Sequence, residues 1–228
     1  MITFIDVGYL INCKHDKGQE ARLAVTSCVL NVIKHKIEKA LHLFLQKFKE
    51  IKTIIRSYYL NIPSKRRLGS PKEIARKIAQ FLEHKGYADI AFLFKLIARY
   101  DITDLEERIE DTLLRLRSKA EPINFITFLH HYFKEQNNYK IFPNKALDSI
   151  RKYLQQKKIE IIEIDDRKLW IELESETDRE DRYQLLCIEK YKQNSGAPET
   201  YLLTTDHKLP NTAQPFRNIK VKVVDCQA

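Results

Sequence analysis

The chain has 228 residues, of which 43% are hydrophobic and 31% charged, with 5 glycines. This composition supports a buried core and excludes a fibrous or low-complexity protein. No run of about eighteen apolar residues occurs, which argues against a membrane-spanning helix. The net charge is +9, and the first 140 residues account for all of it, with 25 basic against 16 acidic side chains. A basic N-terminal part followed by a neutral C-terminal part fits a polyanion as the binding partner. Lysines that only solvate long helices would produce the same excess of positive charge.

The four cysteines, Cys13, Cys28, Cys187 and Cys226, lie far apart in sequence and show no metal-binding spacing. The N-terminal residues lack the basic and apolar parts of a secretory signal. Together these observations predict free thiols in a reducing compartment, and therefore a cytoplasmic protein.

The first predicted element is a strand. The short apolar run Ile2–Ile5 indicates a buried strand that ends at Asp6. Beyond it, apolar residues recur at three- and four-residue steps, and this pattern predicts helices over about residues 15–135. Leu23 and Val25 fit the first of these helices.

The hydrophobic period changes after about residue 135. The following segments alternate between strand and helix patterns, with strands at Tyr139–Phe142, Ile159–Ile164, Tyr201–Thr204 and Ile219–Val224 and helices at Ala146–Leu154 and Arg182–Lys192. Such alternation is typical of an α/β domain with a mainly parallel sheet. We therefore predict an α/β domain formed by residues 1–14 and 136–228, with residues 15–135 as a basic all-α insertion.

Acidic side chains follow two of the predicted strands. Asp6 ends the first strand, Asp206 follows a later one, and Asp178, Glu180 and Asp181 open the helix that precedes it. Ligand sites of parallel sheets lie beyond the carboxyl ends of the strands, and carboxylates gathered there suit Mg²⁺ or Mn²⁺. Such a metal can activate water for phosphodiester cleavage. The same acids also suit turns, helix caps and the first turn of a helix.

Three segments resemble the PIN-domain ribonucleases. They are FIDVGYL at Phe4–Leu10, DREDR at Asp178–Arg182 and YLLTTDHKL at Tyr201–Leu209. The resemblance covers the first ten residues and about Tyr139–Val224, but not the helical insertion. It implies a PIN-like three-layer fold and a metal-dependent endoribonuclease, a hydrolase that cleaves RNA phosphodiesters with Mg²⁺ or Mn²⁺.

The resemblance also implies roles for individual residues. Asp6, Asp181 and Asp206 take the positions of catalytic, metal-binding acids, and Asp178 is a further metal ligand. Thr204 or Thr205 takes the position of a hydroxyl that orients water or a ligand.

The chain departs from the family pattern at two places. Val7 and Gly8 follow the first aspartate, where the family has a small hydroxylated residue and then Asn or Ser. Ser149 falls where a glutamate is expected, with Asp148 beside it. Either Asp148 replaces the missing metal ligand by a one-residue shift, or one acid is absent.

The insertion offers a candidate RNA-binding surface. It consists of six basic residues, which are Lys65, Arg66, Arg67, Lys72, Arg76 and Lys77. The alternative is that these residues belong to a solvated loop. His130 and His131 lack nearby acids at ligand spacing and are interpreted as ordinary helix residues.

Two other functions remain open. One is a catalytically degenerate PIN-like module that binds RNA or protein in a larger assembly. The other is that the long helices mediate homo-oligomerisation or bind a protein inhibitor, as the resemblance to toxin-type ribonucleases permits.

Overall fold

The computed structural model describes residues 2–13, 22–60, 70–102, 105, 108–109, 122–164, 170, 173, 178–196, 200–216 and 218–226. Its contacts divide the chain into two compact units, which we call the sheet unit (Met1–Ile33 with Arg151–Ala228) and the helical unit (Lys34–Ile150). None of the helices in the described ranges combines the length and the apolar character needed to cross a membrane.

The sheet unit is built on a five-stranded parallel sheet. Its strands are β1 (Ile2–Ile5), β2 (Arg22–Thr26), β3 (Glu160–Ile162), β4 (Thr200–Thr204) and β5 (Ile219–Val223). They lie in the order β3-β2-β1-β4-β5, and every neighbouring pair is parallel. The predicted α/β class with a mainly parallel sheet is therefore confirmed.

Helices make up most of the remaining described chain. They are α1 (Val7–Asn12), α2 (Ser27–Gln46), α3 (Phe48–Leu60), α4 (Pro71–His84), α5 (Ala88–Arg99), α6 (Pro122–Lys134), α7 (Asn138–Gln156), α8 (Arg179–Ser195) and α9 (Leu209–Thr212), with a 3₁₀ turn at Glu135–Asn137. The start of α4 shows how the sequence sets such a boundary. Ser70 Oγ accepts a hydrogen bond from the Glu73 amide at 3.4 Å, and Pro71 has no amide hydrogen to satisfy.

A hydrophobic core of the sheet unit lies beneath α8. Phe4 of β1 and Leu202 of β4 pack with Leu185 and Ile188 of α8, and all four side chains are almost fully buried. Burial of each such side chain contributes about 1.5–3 kcal/mol. This packing fixes α8 against the sheet.

The helical unit has an aromatic core of its own. The Phe44 ring lies 5.8 Å from the Phe94 ring and 6.1 Å from the Phe133 ring, centroid to centroid, and Phe133 lies 5.0 Å from Phe142. All three pairs meet edge to face, the arrangement that the ring quadrupole favours.

Two predicted elements were wrong. Residues 22–26, assigned to the first helix through Leu23 and Val25, form β2, which lies between β1 and β3. This strand is short and is followed by α2 without a loop. Its apolar residues therefore continue the three- and four-residue spacing of the apolar residues in the helix. Tyr139–Phe142, predicted as a strand, is the first part of α7, whose buried residues Phe142, Ala146, Ile150 and Leu154 recur every four positions.

The prediction of free thiols was also wrong. Cys13 is disulfide-bonded to Cys226, and Cys28 to Cys187, with Cα–Cα distances of 5.0 and 6.5 Å. The paired residues are 213 and 159 positions apart, so sequence spacing gave no sign of their proximity. The cytoplasmic location stays a prediction that has lost the support of free thiols.

Candidate active site

The candidate site lies where the strand order of the sheet reverses. β2 and β3 lie on one side of β1, whereas β4 and β5 lie on the other. Ile5 and Leu203 are paired at this point, and the Asp6 amide donates to the Leu203 carbonyl at 3.1 Å. The two strands therefore end together, which is the position at which open α/β sheets bind ligands.

Asp6 is held in one orientation at the end of β1. The residue is only 5% exposed, and both of its carboxylate oxygens accept hydrogen bonds. Oδ1 accepts from the Tyr9 amide at 2.6 Å, which caps α1, and Oδ2 accepts from Thr204 Oγ1 at 2.5 Å. Asp6 is thus the cap of α1, which is one of the roles that the sequence left open, and its role as a catalytic, metal-binding acid stays a prediction.

Thr204 connects the two predicted acids. Its fully buried hydroxyl donates to Asp6 Oδ2 and accepts from the Asp206 amide at 2.9 Å. Asp206 itself is exposed, and its Oδ1 accepts from the Lys208 amide at 2.8 Å. Its Oδ2 accepts no hydrogen bond from the described residues.

Gly8 makes room for a hydroxyl next to the Asp6 carboxylate. A Cβ at position 8 would lie 2.6 Å from Thr205 Oγ1 and 3.5 to 3.6 Å from the two Asp6 oxygens. Thr205 Oγ1 also accepts from Asn12 Nδ2 at 3.3 Å. Glycine at position 8 therefore has a physical reason, because a Cβ here would overlap the Thr205 hydroxyl.

Asp178 and Asp181 lie at the start of α8. Asp178 is exposed at the N-cap position without making a side-chain capping bond, and Asp181 is half-buried in the first turn. Since α8 packs on the sheet and leads into the parallel strand β4 within a few residues, its N-terminus lies near the carboxyl ends of the strands. The role of both aspartates as metal ligands stays a prediction.

The donor set fits a hard cation that retains water ligands. Mg²⁺ is commonly held by one or two carboxylates, with water and phosphate oxygens completing its shell. Asp6 and Asp206 supply two carboxylates at adjacent strand ends. Within the described ranges, no three His, Cys, Asp or Glu side chains are close enough together to form a complete metal site.

Asp148 and Ser149 lie on α7, within the helical unit. Asp148 is exposed, whereas Ser149 is buried and its Oγ donates to the Asp101 carbonyl at 2.8 Å. Ser149 therefore holds α7 to the chain that follows α5. The role of Asp148 as a metal ligand stays a prediction.

The predicted RNA-binding patch is only partly within the described chain. Lys65, Arg66 and Arg67 lie outside the described residues. Lys72 is paired with Asp101, and Lys77 Nζ lies 3.7 Å from Glu73 Oε1, whereas Arg76 is exposed. A carboxylate partner competes with phosphate for the two lysines.

Two side chains at the sheet edge escaped the sequence analysis. Asn12 contacts Thr205, and exposed His207 lies with Nε2 3.6 Å from Asp225 Oδ1. Asn12 lies four residues after Gly8 on α1, and this spacing, which places the two on one helix face, could have identified it.

Comparison with known proteins leaves the site to be interpreted from its own geometry. No protein-family model, curated protein or solved structure is similar enough to this chain to count as a match.

Proposed function

We propose that the chain is a metal-dependent endoribonuclease of PIN type, which hydrolyses RNA phosphodiesters at Asp6 and Asp206. One observation carries the proposal: the Thr204 hydroxyl contacts both the Asp6 carboxylate and the Asp206 amide at the reversal of strand order. The parallel order β3-β2-β1-β4-β5 with flanking helices is consistent with the three-layer fold that the resemblance implies.

Each residue of the site has a distinct task in this proposal. Asp6, fixed by two hydrogen bonds, and Asp206, through its Oδ2, would hold Mg²⁺ or Mn²⁺, with Asp181 and Asp178 as further candidate ligands. The bound ion would supply Lewis-acid stabilisation of the phosphate charge and a more acidic water. The Thr205 hydroxyl, held by Asn12, would orient a water or a phosphate oxygen.

The charge of the helical unit supports an RNA substrate. The helical unit has 23 Lys and Arg against 14 Asp and Glu, whereas the sheet unit has 17 of each. The whole net charge of +9 therefore belongs to the helical unit, whereas Asp6 and Asp206 belong to the sheet unit. A phosphate backbone attracted to that unit would add affinity by counterion release.

The proposal is tested with Asp206→Asn, and Asp225→Asn is the matched control at the same edge of the sheet. Single-stranded RNA is incubated with Mn²⁺ and each purified variant, and the cleavage rate is measured. We expect Asp206→Asn to lose about a hundredfold or more of the rate and the control to retain it. Equal rates for the wild type and Asp206→Asn would refute the nuclease assignment.

A degenerate, non-catalytic PIN-like module is the second candidate function. It is favoured by Ser149, which stands at the expected glutamate and uses its hydroxyl for the Asp101 carbonyl. Calorimetric titration with Mn²⁺ separates the two candidates. The nuclease should bind Mn²⁺ below millimolar concentration, with binding abolished by Asp6→Asn, whereas the degenerate module should give no heat.

A further inference from the structure

Lysine and histidine side chains cluster around the stacked rings of Phe48 and His130 in the helical unit. We call this cluster the α3–α6 cationic face and define it as Phe48 and Lys52 of α3 with His130, His131 and Lys134 of α6. The His130 ring is stacked on Phe48 with centroids 3.7 Å apart and planes 12° from parallel. Lys52 Nζ lies 5.6 Å from the Phe48 centroid, and the His131 ring lies 5.8 Å from that of His130.

The side chains of this face create a positive local potential. Partial burial lowers the pKa of His130, and the charges of Lys134, His131 and Lys52 lower it further. These three neighbours are all cations or can become cations. None of the ion pairs between described residues involves Lys52, His131 or Lys134.

The positive charge continues along α3. Lys49, Lys52 and Arg56 are separated by three and four residues, so they lie on one side of the helix. Lys49 and Arg56 are exposed, and Lys52 is half-buried against the Phe48 ring. The spacing extends the potential into a stripe about two helical turns long, and successive phosphates of a nucleic-acid strand could follow a stripe of this kind.

We propose that the α3–α6 cationic face binds the phosphate backbone of a single-stranded nucleic acid. The face offers ammonium and imidazole donors, and no ion pair between described residues involves Lys52, His131 or Lys134, whereas Lys72 and Lys77 in the patch expected from sequence are ion-paired. A polyanion is the complementary partner for such a surface, and its binding would release counterions. That the nucleic acid is RNA rests on the proposed function, but binding to the face does not require the acids of the sheet unit.

The test measures the binding of a fluorescently labelled single-stranded RNA of about 20 nucleotides to the full chain. EDTA is present, so that cleavage does not interfere. The test variant is the double substitution Lys52→Gln with Lys134→Gln. The matched control is Lys152→Gln with Lys222→Gln, which removes the same charge from exposed positions of the sheet unit.

We expect the test variant to bind about tenfold more weakly at moderate salt and the control to bind nearly as the wild type does. The slope of log affinity against log salt should decrease in magnitude by about 1.4 for the test variant, since about 0.7 is lost per single-strand phosphate contact. Thermal melting of each variant checks that the fold is intact. If melting shows that the double substitution has unfolded the chain, His131→Gln, at an exposed residue of the same face, replaces it in the same comparison.

Several outcomes would overturn the proposal. They are equal weakening by the test and control variants, no binding of RNA by the wild type, and binding to phosphatidylserine vesicles without binding to RNA. The last outcome would identify an anionic membrane surface as the partner. The use of EDTA separates this proposal from the nuclease: RNA binding by the wild type should be retained in EDTA even if no cleavage is found with Mn²⁺.

Discussion

Thr204 Oγ1 donates a hydrogen bond of 2.5 Å to Asp6 Oδ2, and the two residues, at the ends of β4 and β1, are 198 positions apart in sequence. Since the same hydroxyl accepts from the Asp206 amide, one buried oxygen sets the relation between both acids. The geometry of the candidate site therefore depends on a residue that need not touch a substrate.

Replacement of Thr204 by Val should destabilise the chain and disorder the site. Valine has a similar shape but leaves Asp6 Oδ2 and the Asp206 amide without this partner, at a cost of about 1–3 kcal/mol in the free energy of unfolding. Urea denaturation measures the loss. Thr204→Ser is the control, because it retains the hydroxyl. Equal stability of the valine and serine variants would show that the hydrogen bond contributes nothing.

Gly8→Ala should destabilise the chain although alanine is the better helix former. The added Cβ would lie 2.6 Å from Thr205 Oγ1, a side chain that is stiff at χ1, and relief of this overlap costs about 1–3 kcal/mol. In a Thr205→Ala background the same substitution should instead stabilise by about 0.5–1 kcal/mol, the ordinary gain from Gly to Ala in a helix. The reversal of sign, measured by urea denaturation of the four proteins, is the test. Destabilisation of similar size in both backgrounds would contradict it.

The Cys28–Cys187 disulfide should stabilise the sheet unit strongly. A cross-link between residues 159 positions apart restricts the unfolded chain, and its removal costs about 2–5 kcal/mol. The double variant Cys28→Ala with Cys187→Ala should therefore have a lower urea midpoint than the wild type when no reductant is present. Addition of a reductant should also lower the midpoint of the wild type. Thiol labelling of the denatured, unreduced wild type should find no free cysteine. Four labelled thiols would contradict both disulfides.

His130 should make the chain less stable as the pH falls. Burial and the neighbouring cations lower its pKa in the folded state, so the unfolded chain binds the proton more readily. The free energy of unfolding should therefore decrease as the pH falls from about 7.5 to about 5.5, through the ordinary histidine value of about 6.5. Urea denaturation at both pH values should show a smaller decrease for His130→Gln. His42→Gln, at an exposed position of α2, is the control and should retain the full decrease.

The ends of β1 and β4 could be predicted from the sequence because strand and acid are contiguous there. Asp6 follows Ile2–Ile5 directly, and Asp206 lies two residues beyond β4, so the topology of a parallel sheet was enough to bring them to one edge. By contrast, the contact between Gly8 and Thr205 depends on tertiary packing across two elements. No local pattern reports such a contact.

The elements that were missed lie where local pattern and tertiary environment disagree. β2 is a strand because it lies between β1 and β3, and nothing in Arg22–Thr26 separates it from the apolar period of α2. Tyr139–Phe142 has strand-like residues, but Phe142 is buried in the aromatic core as part of α7. In both cases burial, rather than propensity, decides the conformation.

The two disulfides also determine what a protease can release from this molecule. Cys13 and Cys28 precede the helical unit, and their partners Cys226 and Cys187 follow it. A single backbone cut anywhere between residues 29 and 186 leaves two polypeptides joined by both bridges. Nicked protein would keep the β1 and β4 ends in one covalent molecule and run at full mass on a gel until a reductant separates the pieces.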